Sequence, residues 1–491
     1  MLFNSVIFFL FFTLFYSLYW SIPHQLRKVL LILGGIIFYG YSSLPFLYLF
    51  LLVILINFLL NRILYNYKSK FFLFGTISLN VLNLAFFKYF YFFCNLLLSI
   101  TANKYFEELP THFHIGFPLA ISFYTFQIIA LQVDTYRGKI EKSLSLSDFY
   151  VFILFFPVLI AGPIMRTTDF FPNLEKKIPL QRDTIDATYL MISGIIKKVL
   201  LADPLSQIVT PVFNSPLDYG SSQILLLSIT YLIQLFFDFS GLTDMARAVA
   251  LYLGIDIPEN FRAPFFSRSF SEFWSRWHIT LSTWLRDYLY FSMGGSKVAQ
   301  PRIYFNVLAT MTIGGFWHGP DYTFIAWGLF WGLLLCMERF ITDVLHIDIT
   351  PKNKVTSILS ACLVTLLAAM SVLMFRANDT KNMIEIFSSL FTNYNENLQI
   401  SLISGGGSWL IDGMKIIQSD EPFLLKKISN QESIFLMGIL FILNHAIQYN
   451  KESLNRFKKY DPYLVVSLGI VTVFLLTCLS QDGNDFIYYK F

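Results

Sequence analysis

His318 is the residue of this sequence whose type and setting point most directly to chemistry. It lies in the segment GGFWHGP (314–320), where glycines and a proline interrupt an apolar stretch that runs from 303 to 336. Glycine and proline break helices, and irregular backbone at membrane depth is tolerated only inside protein or along a cavity. A neutral histidine can accept a proton from an attacking thiol or hydroxyl. The segment therefore predicts a proton acceptor at a helix break, with a hydrogen bond to a neighbouring helix as the structural alternative.

A second segment, residues 260–297, combines tryptophans with arginines and holds few aliphatic runs. Helical spacing would place on one face Trp274, Trp277, His278, Leu281, Trp284, Leu285 and Tyr288. An amphipathic helix on the cytoplasmic interface is the structural interpretation of this pattern. The functional interpretation is a cytoplasmic vestibule for a phosphorylated substrate, because arginine makes bidentate contacts with phosphate.

These two segments supply the other candidates for the site. The residues that we expect to bind a phosphorylated donor are Arg262, Arg268, Arg276, Trp277, Arg286, Asp287, Lys297 and Trp317. His278 is the second catalytic candidate, since it could meet His318 in three dimensions. Asp287 or Asp238 could orient a histidine, and the sequence does not choose between them.

Three polar residues, Asp238, Ser240 and Asp244, lie inside the apolar block FFDFSGLTDMA (236–246) and should face protein or a cavity. Their structural interpretation is hydrogen bonding between helices. His112 and His114 form an H-x-H pair without further ligands at fixed spacing, and the four cysteines are scattered. We therefore predict no metal site and no disulfide framework.

The elements that must position these residues are membrane helices. Of 491 residues, 55% are hydrophobic and 14% are charged, whereas soluble domains carry about 25% charged residues. Apolar blocks of about 20 residues recur, the length that spans a bilayer core of about 30 Å. This composition excludes a soluble enzyme, a secreted disulfide scaffold, a disordered protein and a nucleic-acid binder. It predicts an all-α polytopic membrane protein.

The apolar blocks predict roughly 11 to 13 crossings, tilted or re-entrant in part, because lipid cannot satisfy free backbone groups outside helices. We expect one integral membrane domain over 1–491, whose core segment is 260–340. The first block, 2–20, lacks a basic flank and a cleavage site and is expected to be a retained span.

Loop charges predict the orientation. Residues 204–222 contain no Lys or Arg, and 377–430 carry four lysines against six carboxylates, so both are expected outside. Residues 450–461 carry four cations against two carboxylates and are expected in the cytoplasm. The 247–302 stretch is also expected in the cytoplasm, since it carries Arg247, Arg262, Arg268, Arg276, Arg286, Lys297 and Arg302. A last span at 462–480 would then bring the C-terminal residues to the outer face.

Taken together, these segments resemble the membrane-bound O-acyltransferase (MBOAT) family, in its bacterial alginate and peptidoglycan O-acetyltransferase branch. The resemblance runs nearly end to end, and its most specific part is EFWSRWHITLSTWLRDYLY (272–290) followed by GGFWHG (314–319). The other matching segments are FYGYSS (38–43), NLAFFKYFYF (83–92), PLAISFYTFQ (118–127), DTYRG (134–138), FFPVLIAGPIMR (155–166), GIIKKVLLAD (194–203), FDFSGLTDMA (237–246) and FIYYKF (486–491).

The resemblance implies a ring of tilted helices around a central tunnel in the bacterial inner membrane. It places His318 on the family's invariant catalytic histidine and His278 on its second, supporting histidine. His318 would then either deprotonate an acceptor hydroxyl or accept the acyl group transiently. The implied donor is a cytoplasmic acyl thioester, acetyl-CoA for this branch, with no tightly bound cofactor. The implied partner is a periplasmic SGNH-hydrolase-like acetyltransferase that modifies a glycan hydroxyl.

The C-terminal segment NDFIYYKF (484–491) matches an aromatic motif whose tyrosine carries the acyl group in related systems. By position Tyr488 is the match, while Tyr489 stands where relatives tend to have Phe. An aromatic anchor at the membrane interface is the structural interpretation of this tail.

Three other functions compete with acetyl transfer. The first is D-alanyl transfer from a carrier protein to teichoic acid. A glycan or lipid transporter is the second, because broken helices and a polar site at the midplane also suit transporters. The third is a structural membrane partner whose histidines only pack.

Overall fold

The computed structural model describes residues 1–160, 162–174, 181–392 and 430–449. Within these ranges the regular structure is helical throughout. The α-helices are Val6–Ser21, His24–Gly40, Leu44–Tyr67, Lys70–Leu84, Phe90–Thr101, Tyr105–Glu108, Ile121–Tyr136, Leu146–Ile153, Phe156–Leu159, Thr167–Leu174, Gln181–Ile195, Asp203–Asn214, Ser221–Tyr252, Phe270–Arg276, Ile279–Trp284, Gln300–His318, Tyr322–Arg339, Lys354–Arg376, Thr380–Thr392 and Asn430–Tyr449. Four π-helical turns extend or join them: Ala85–Tyr89, Ile196–Ala202, Leu285–Tyr290 and Phe340–Val344.

Among the described residues, five helices are long and apolar enough to cross a membrane. They are Leu44–Tyr67, Lys70–Thr101, Ser221–Tyr252, Tyr322–Val344 and Lys354–Arg376. The prediction of an all-α polytopic membrane protein is confirmed. Other predicted blocks form shorter or interrupted helices, such as Leu146–Ile153 and Phe156–Leu159 within the block 148–165. The predicted span 462–480 lies outside the described residues.

The helix Ser221–Tyr252, which we call the central helix, is largely buried in protein, unlike the other four candidate spans. Its 32 residues extend about 48 Å. Apolar residues face every side of this helix, which is typical of a helix surrounded by other helices. Its neighbours include Gln181–Ile195 and Lys354–Arg376. The central helix therefore places Asp238, Ser240 and Asp244 inside the protein, as their position in an apolar block predicts.

The helices Gln300–His318 and Tyr322–Arg339 form a tightly packed hairpin around the break at Gly319–Asp321. The Asp321 side chain caps the second helix by accepting a hydrogen bond from the Thr323 N–H. Glycines let the two backbones approach closely. A Cβ placed on Gly315 would lie 2.9 Å from the Gly328 backbone and would collide with the Phe324 carbonyl oxygen. This close approach fixes the direction in which the first helix delivers His318.

We predict that Gly315→Ala forces the hairpin apart and lowers the free energy of unfolding by about 1–3 kcal/mol, the usual cost of overpacking. The matched control is Gly75→Ala, because a Cβ there meets nothing within 4 Å. Alanine is the better helix former, so this control should change stability by about 1 kcal/mol or less. Thermal unfolding of the purified variants in detergent measures both effects. Equal melting temperatures for the two variants would contradict the prediction.

Candidate active site

His318 is the last residue of the helix Gln300–His318 and is 3% exposed. Its imidazole lies among aromatic rings, with centroid distances of 5.0 Å to Trp317, 5.3 Å to Trp327 and 5.1 Å to Phe375. The helix break follows directly, since Gly319 has extended backbone. His318 is therefore enclosed by protein at a helix end, which is the setting that its sequence context predicts.

His278 is the second predicted histidine, and it is also buried, at 1% exposed. Its ring packs edge-to-face on Phe239 of the central helix, with centroids 4.7 Å apart. It lies close enough to His318 for the two imidazoles to interact electrostatically. The structure thus brings together two histidines that are 40 residues apart in the sequence.

The prediction of one continuous helix through Trp274–Tyr288 is wrong. The helix Phe270–Arg276 ends before Trp277, and His278 adopts a left-handed conformation with φ of 41° before the next helix begins at Ile279. Asn260 provides the reason. Its carbonyl oxygen accepts the Ile279 N–H at 3.0 Å, and its side-chain oxygen accepts the Thr280 N–H and hydroxyl. These hydrogen bonds replace those of a continuous helix and turn His278 inward.

The interpretation of this segment as an interface helix is also wrong. Trp277, Leu281, Trp284, Leu285 and Tyr288 are all buried in the protein core. Within this core the rings stack closely: Phe126 lies 3.8 Å from Trp284 and 4.9 Å from Trp317 between centroids. Trp277 packs against Phe261 and Phe273. Trp277 and Trp317 are thus both buried among aromatic rings, and their role as donor contacts stays a prediction.

The predicted donor-binding arginines lie nearer the surface and are paired with carboxylates. Arg262 pairs with Glu259, and Arg276 with Glu272 at 2.8 Å. Arg268 also reaches Glu272, at 3.5 Å. The segment is therefore a surface of mixed charge, which we call the arginine-bearing surface. Asp287 was named from the sequence among its charged residues, but Glu259 and Glu272 were not. Lys297, the last predicted donor contact, is exposed.

Asp287 joins two arginines at this surface. Its carboxylate lies 2.8 Å from Arg286 and 2.7 Å from Arg166. Burial raises the pKa of this carboxyl, but the two guanidinium groups outweigh the burial and leave the pKa below its usual value. Asp287 is thus a charged partner of arginines. Arg166 closes the segment FFPVLIAGPIMR and was not singled out from the sequence.

A polar cavity of about 700 Å³ lies next to the C-terminal end of the helix Gln300–His318, which we call the histidine helix. Gly319 and Pro320, which follow His318 directly, form part of its wall. Its charged lining residues are Lys88, Lys198, Asp203, Asp238, Asp321 and Arg376. Ser206 and Asn378 also line it, and both belong to stretches that the loop charges place outside. The polar cavity therefore borders two stretches that the loop charges predict to lie outside.

Two lysines that the sequence analysis did not weigh neutralise the predicted intramembrane carboxylates. Lys198 lies 2.8 Å from Asp238 and 2.9 Å from Asp203. Its neighbour Lys197 lies 2.6 Å from Asp244. The π-helical turn Ile196–Ala202 carries both lysines toward the central helix, so Asp238 and Asp244 bond between helices. Ser240, which lies between Asp238 and Asp244 in the sequence, is also buried, at 1% exposed. The sequence signal that could have revealed these ion pairs is the occurrence of two adjacent lysines within the apolar block 186–202.

Two further predictions concern the tyrosines near residue 490 and the expected lack of a metal site. Tyr488 and Tyr489 lie outside the described residues. Within the described ranges, no group of three or more His, Cys, Asp or Glu side chains is arranged to hold a metal ion.

The family model described as "MBOAT, membrane-bound O-acyltransferase family" matches residues 63–374. The chain belongs to the membrane-bound O-acyltransferase family. Both histidines, the arginine-bearing surface and most of the polar cavity fall within this match. The protein is accordingly an O-acyltransferase, and its apolar helices make it a multi-pass membrane protein.

Curated relatives place it more closely. It is 37% identical over 359 residues to a protein of Azotobacter vinelandii named "Probable alginate O-acetylase AlgI", covering 72% of this chain and 71% of the relative. It is 29% identical over 506 residues to the peptidoglycan O-acetyltransferase of Helicobacter pylori, covering 94% and 91%. The teichoic acid D-alanyltransferase of Bacillus subtilis is 32% identical over 266 residues, covering 51% of this chain and 66% of the relative.

Proposed function

We propose that this MBOAT protein transfers an acetyl group from acetyl-CoA in the cytoplasm to an acceptor on the other side of the membrane. The observation that carries the proposal is the position of His318. It ends a helix beside the polar cavity and connects through stacked rings to the arginine-bearing segment. Similarity to alginate and peptidoglycan O-acetylating proteins supports acetyl as the group transferred.

The donor enters from the arginine-bearing surface in this proposal. Arg262, Arg268, Arg276, Arg286 and Lys297 lie there, and guanidinium groups bind the phosphates of CoA well. Arg262 is 54% exposed in its pair with Glu259, and an ion pair in contact with water contributes little stability, so a phosphate can compete for this guanidinium. The Arg276–Glu272 pair is less exposed, at 19% and 21%. Acetyl-CoA is a substrate here, and the proposal includes no tightly bound cofactor.

The chemical step moves the acetyl group from the sulfur of CoA to the oxygen of the acceptor. His318 accepts the proton of the acceptor hydroxyl while the acceptor oxygen attacks the thioester carbonyl. The C–S bond then breaks, and the proton passes from His318 to the departing CoA thiolate. His278 lies close enough for its imidazole to interact electrostatically with that of His318. The products are the acetyl ester and CoA, so the step consumes no net proton.

The acceptor in this proposal is the phenol of Tyr488, which hands the acetyl group to a periplasmic SGNH-hydrolase-like acetyltransferase. That partner then acetylates a hydroxyl of a cell-wall or exopolysaccharide glycan. The loop charges support this direction, because they place the C-terminal segment outside. The proposed location is the bacterial inner membrane.

D-alanyl transfer is the second candidate function. The similarity to a teichoic acid D-alanyltransferase favours it, although that similarity covers only 51% of this chain. The two functions differ in the donor, which is a small CoA thioester in one case and a carrier protein in the other. A donor comparison therefore separates them directly.

We expect purified protein in proteoliposomes to release CoA from acetyl-CoA labelled in the acetyl group and to retain label on itself. Tyr488→Phe should lose this label, because the acceptor oxygen is removed. The matched control Tyr489→Phe should keep it. Label on the protein from a D-alanyl carrier thioester and none from acetyl-CoA would favour the second function. Passage of a glycan precursor without CoA release would indicate a transporter.

A further inference from the structure

Lys88 is a buried cation that none of the proposed chemical steps uses. It lies within the candidate span Lys70–Thr101, on the π-helical turn Ala85–Tyr89, and is 7% exposed. A charged side chain at such a position is expensive, so it is rare unless a specific partner or function retains it. The π-turn is a local distortion of the kind often found at functional sites.

The partners of Lys88 lie at the end of the histidine helix. Its ammonium donates to the carbonyl oxygen of Trp317 at 2.7 Å and to that of His318 itself at 2.9 Å. A third hydrogen bond reaches the Ser122 hydroxyl at 3.2 Å. An ammonium has three donors, and all three are used. Lys88 therefore binds the backbone of the two residues that end this helix.

Tyr89, the next residue on the same π-turn, adds to this contact. Its hydroxyl lies 2.8 Å from the carbonyl oxygen of Phe316 and 3.3 Å from that of Trp317. The last four carbonyl groups of a helix have no intrahelical partner, and they carry the negative end of the helix dipole. Two consecutive side chains of one helix thus bond three of these four carbonyls, and the cation takes the terminal one.

We propose that Lys88 is a positioning residue for acyl transfer: it fixes the carbonyl end of His318, and thereby the place of the imidazole, at the helix break that borders the polar cavity. The proposal rests on the proposed function of His318. The position of a side chain follows that of its own backbone, and a displacement of about 1 Å at a reacting group can cost about 100-fold in rate. Lys88 lines the polar cavity together with Gly319 and Pro320, so the residue that holds the helix end and the break that follows it border the same space.

The first test compares two variants of the π-turn in the acetyl-CoA proteoliposome assay. Lys88→Met keeps the length of the side chain and removes the charge and all three hydrogen bonds. We expect its kcat to fall about 100-fold, while KM for acetyl-CoA changes by about two-fold or less, since the arginines of the donor surface are untouched. Tyr89→Phe leaves the bonds of Lys88 to His318 in place and should lower kcat by about 10-fold or less.

Chemical rescue keeps the test valid if Lys88→Met folds poorly. Lys88→Cys is purified and alkylated with 2-bromoethylamine. The cysteine thiolate displaces bromide and forms a thioether that ends in an ammonium, with about the length of a lysine side chain. We expect this reaction to raise kcat by at least about 10-fold over the untreated variant. Wild type and Lys88→Met receive the same treatment as controls, because the four native cysteines also react. Intact mass confirms complete alkylation.

The outcomes separate this inference from the proposed function. If His318→Ala retains full turnover, the proposed function fails. If His318→Ala loses turnover while Lys88→Met keeps the wild-type kcat, the function stands and the positioning role of Lys88 is overturned. A fully alkylated Lys88→Cys that remains as slow as before treatment overturns it as well. A fall in kcat that alkylation reverses supports it.

Discussion

His318→Ala is expected to lower acetyl transfer from acetyl-CoA by about 10²–10⁴-fold, the usual contribution of a positioned acid–base group. The imidazole is the proton acceptor of the proposed step, and alanine leaves no group to take the proton from the acceptor hydroxyl. The enclosing rings of Trp327 and Phe375 exclude bulk water, which makes substitution by solvent inefficient. CoA release by purified protein in proteoliposomes measures the loss.

The matched control is another buried histidine. His445 is 0% exposed and packs among aromatic rings, with centroid distances of 4.6 Å to Phe236 and 4.4 Å to Phe441. His318 is followed directly by Gly319 and Pro320, which line the polar cavity, whereas the residues next to His445 in the chain do not line it. His445→Ala should therefore keep the turnover of each folded molecule near the wild-type value. Equal losses in the two variants would mean that His318 acts through packing alone.

Lys198→Met is expected to produce the largest loss of stability, about 3–5 kcal/mol in the free energy of unfolding. The side chains of Lys198 and Asp238 are 2% and 3% exposed, and Asp203 shares the same ammonium. Removing the cation leaves two carboxylates without their neutralising charge beside the polar cavity, and desolvated carboxylates are costly. Unfolding of the detergent-solubilised protein measures the effect.

An exposed pair provides the reference for this variant. Lys381 lies 3.7 Å from Glu385, one helical turn away, and its side chain is 86% exposed. Water screens such a pair, so Lys381→Met should cost about 0.5 kcal/mol or less. Lys198→Arg keeps a cation in place and should lose less than Lys198→Met. A shift for Lys198→Met as small as that for Lys381→Met would show that the buried charges contribute no net stability.

The sequence predicted those features that depend on local pattern. The apolar blocks indicated a helical membrane protein, and the glycines and proline of 314–320 indicated where the histidine helix ends. The sequence also placed Asp238 and Asp244 within protein, because lipid cannot accommodate them. Each of these inferences uses residues that are close together in the chain.

The errors and omissions arise from contacts between distant residues. The helix through Trp277 is broken because Asn260 supplies hydrogen bonds from outside the segment. The sequence did not reveal the contacts of Lys88 and Lys198, because a lysine in an apolar block belongs to no periodic pattern. Lys88 bonds His318, 230 residues away, and Lys198 bonds Asp238, 40 residues away. Glu272 neutralises arginines of a segment whose interpretation did not include this carboxylate.

The stacked rings beside His318 have a consequence for the electrical insulation of the membrane. The rings of Trp317, Phe126 and Trp284 stack in a row between the helix end at His318 and the arginine-bearing segment, and the charged side chain beside this row is Lys88, 5.8 Å from the Trp317 ring. An ion crossing there would shed its water, at an idealised cost of about 20 kcal/mol, whereas a membrane potential supplies about 2.3 kcal/mol per charge for each 100 mV. In the proposed orientation, the polar cavity would open on one side of the membrane while sodium and potassium gradients stay intact. An acyl group attached to a carrier can cross where no free ion does.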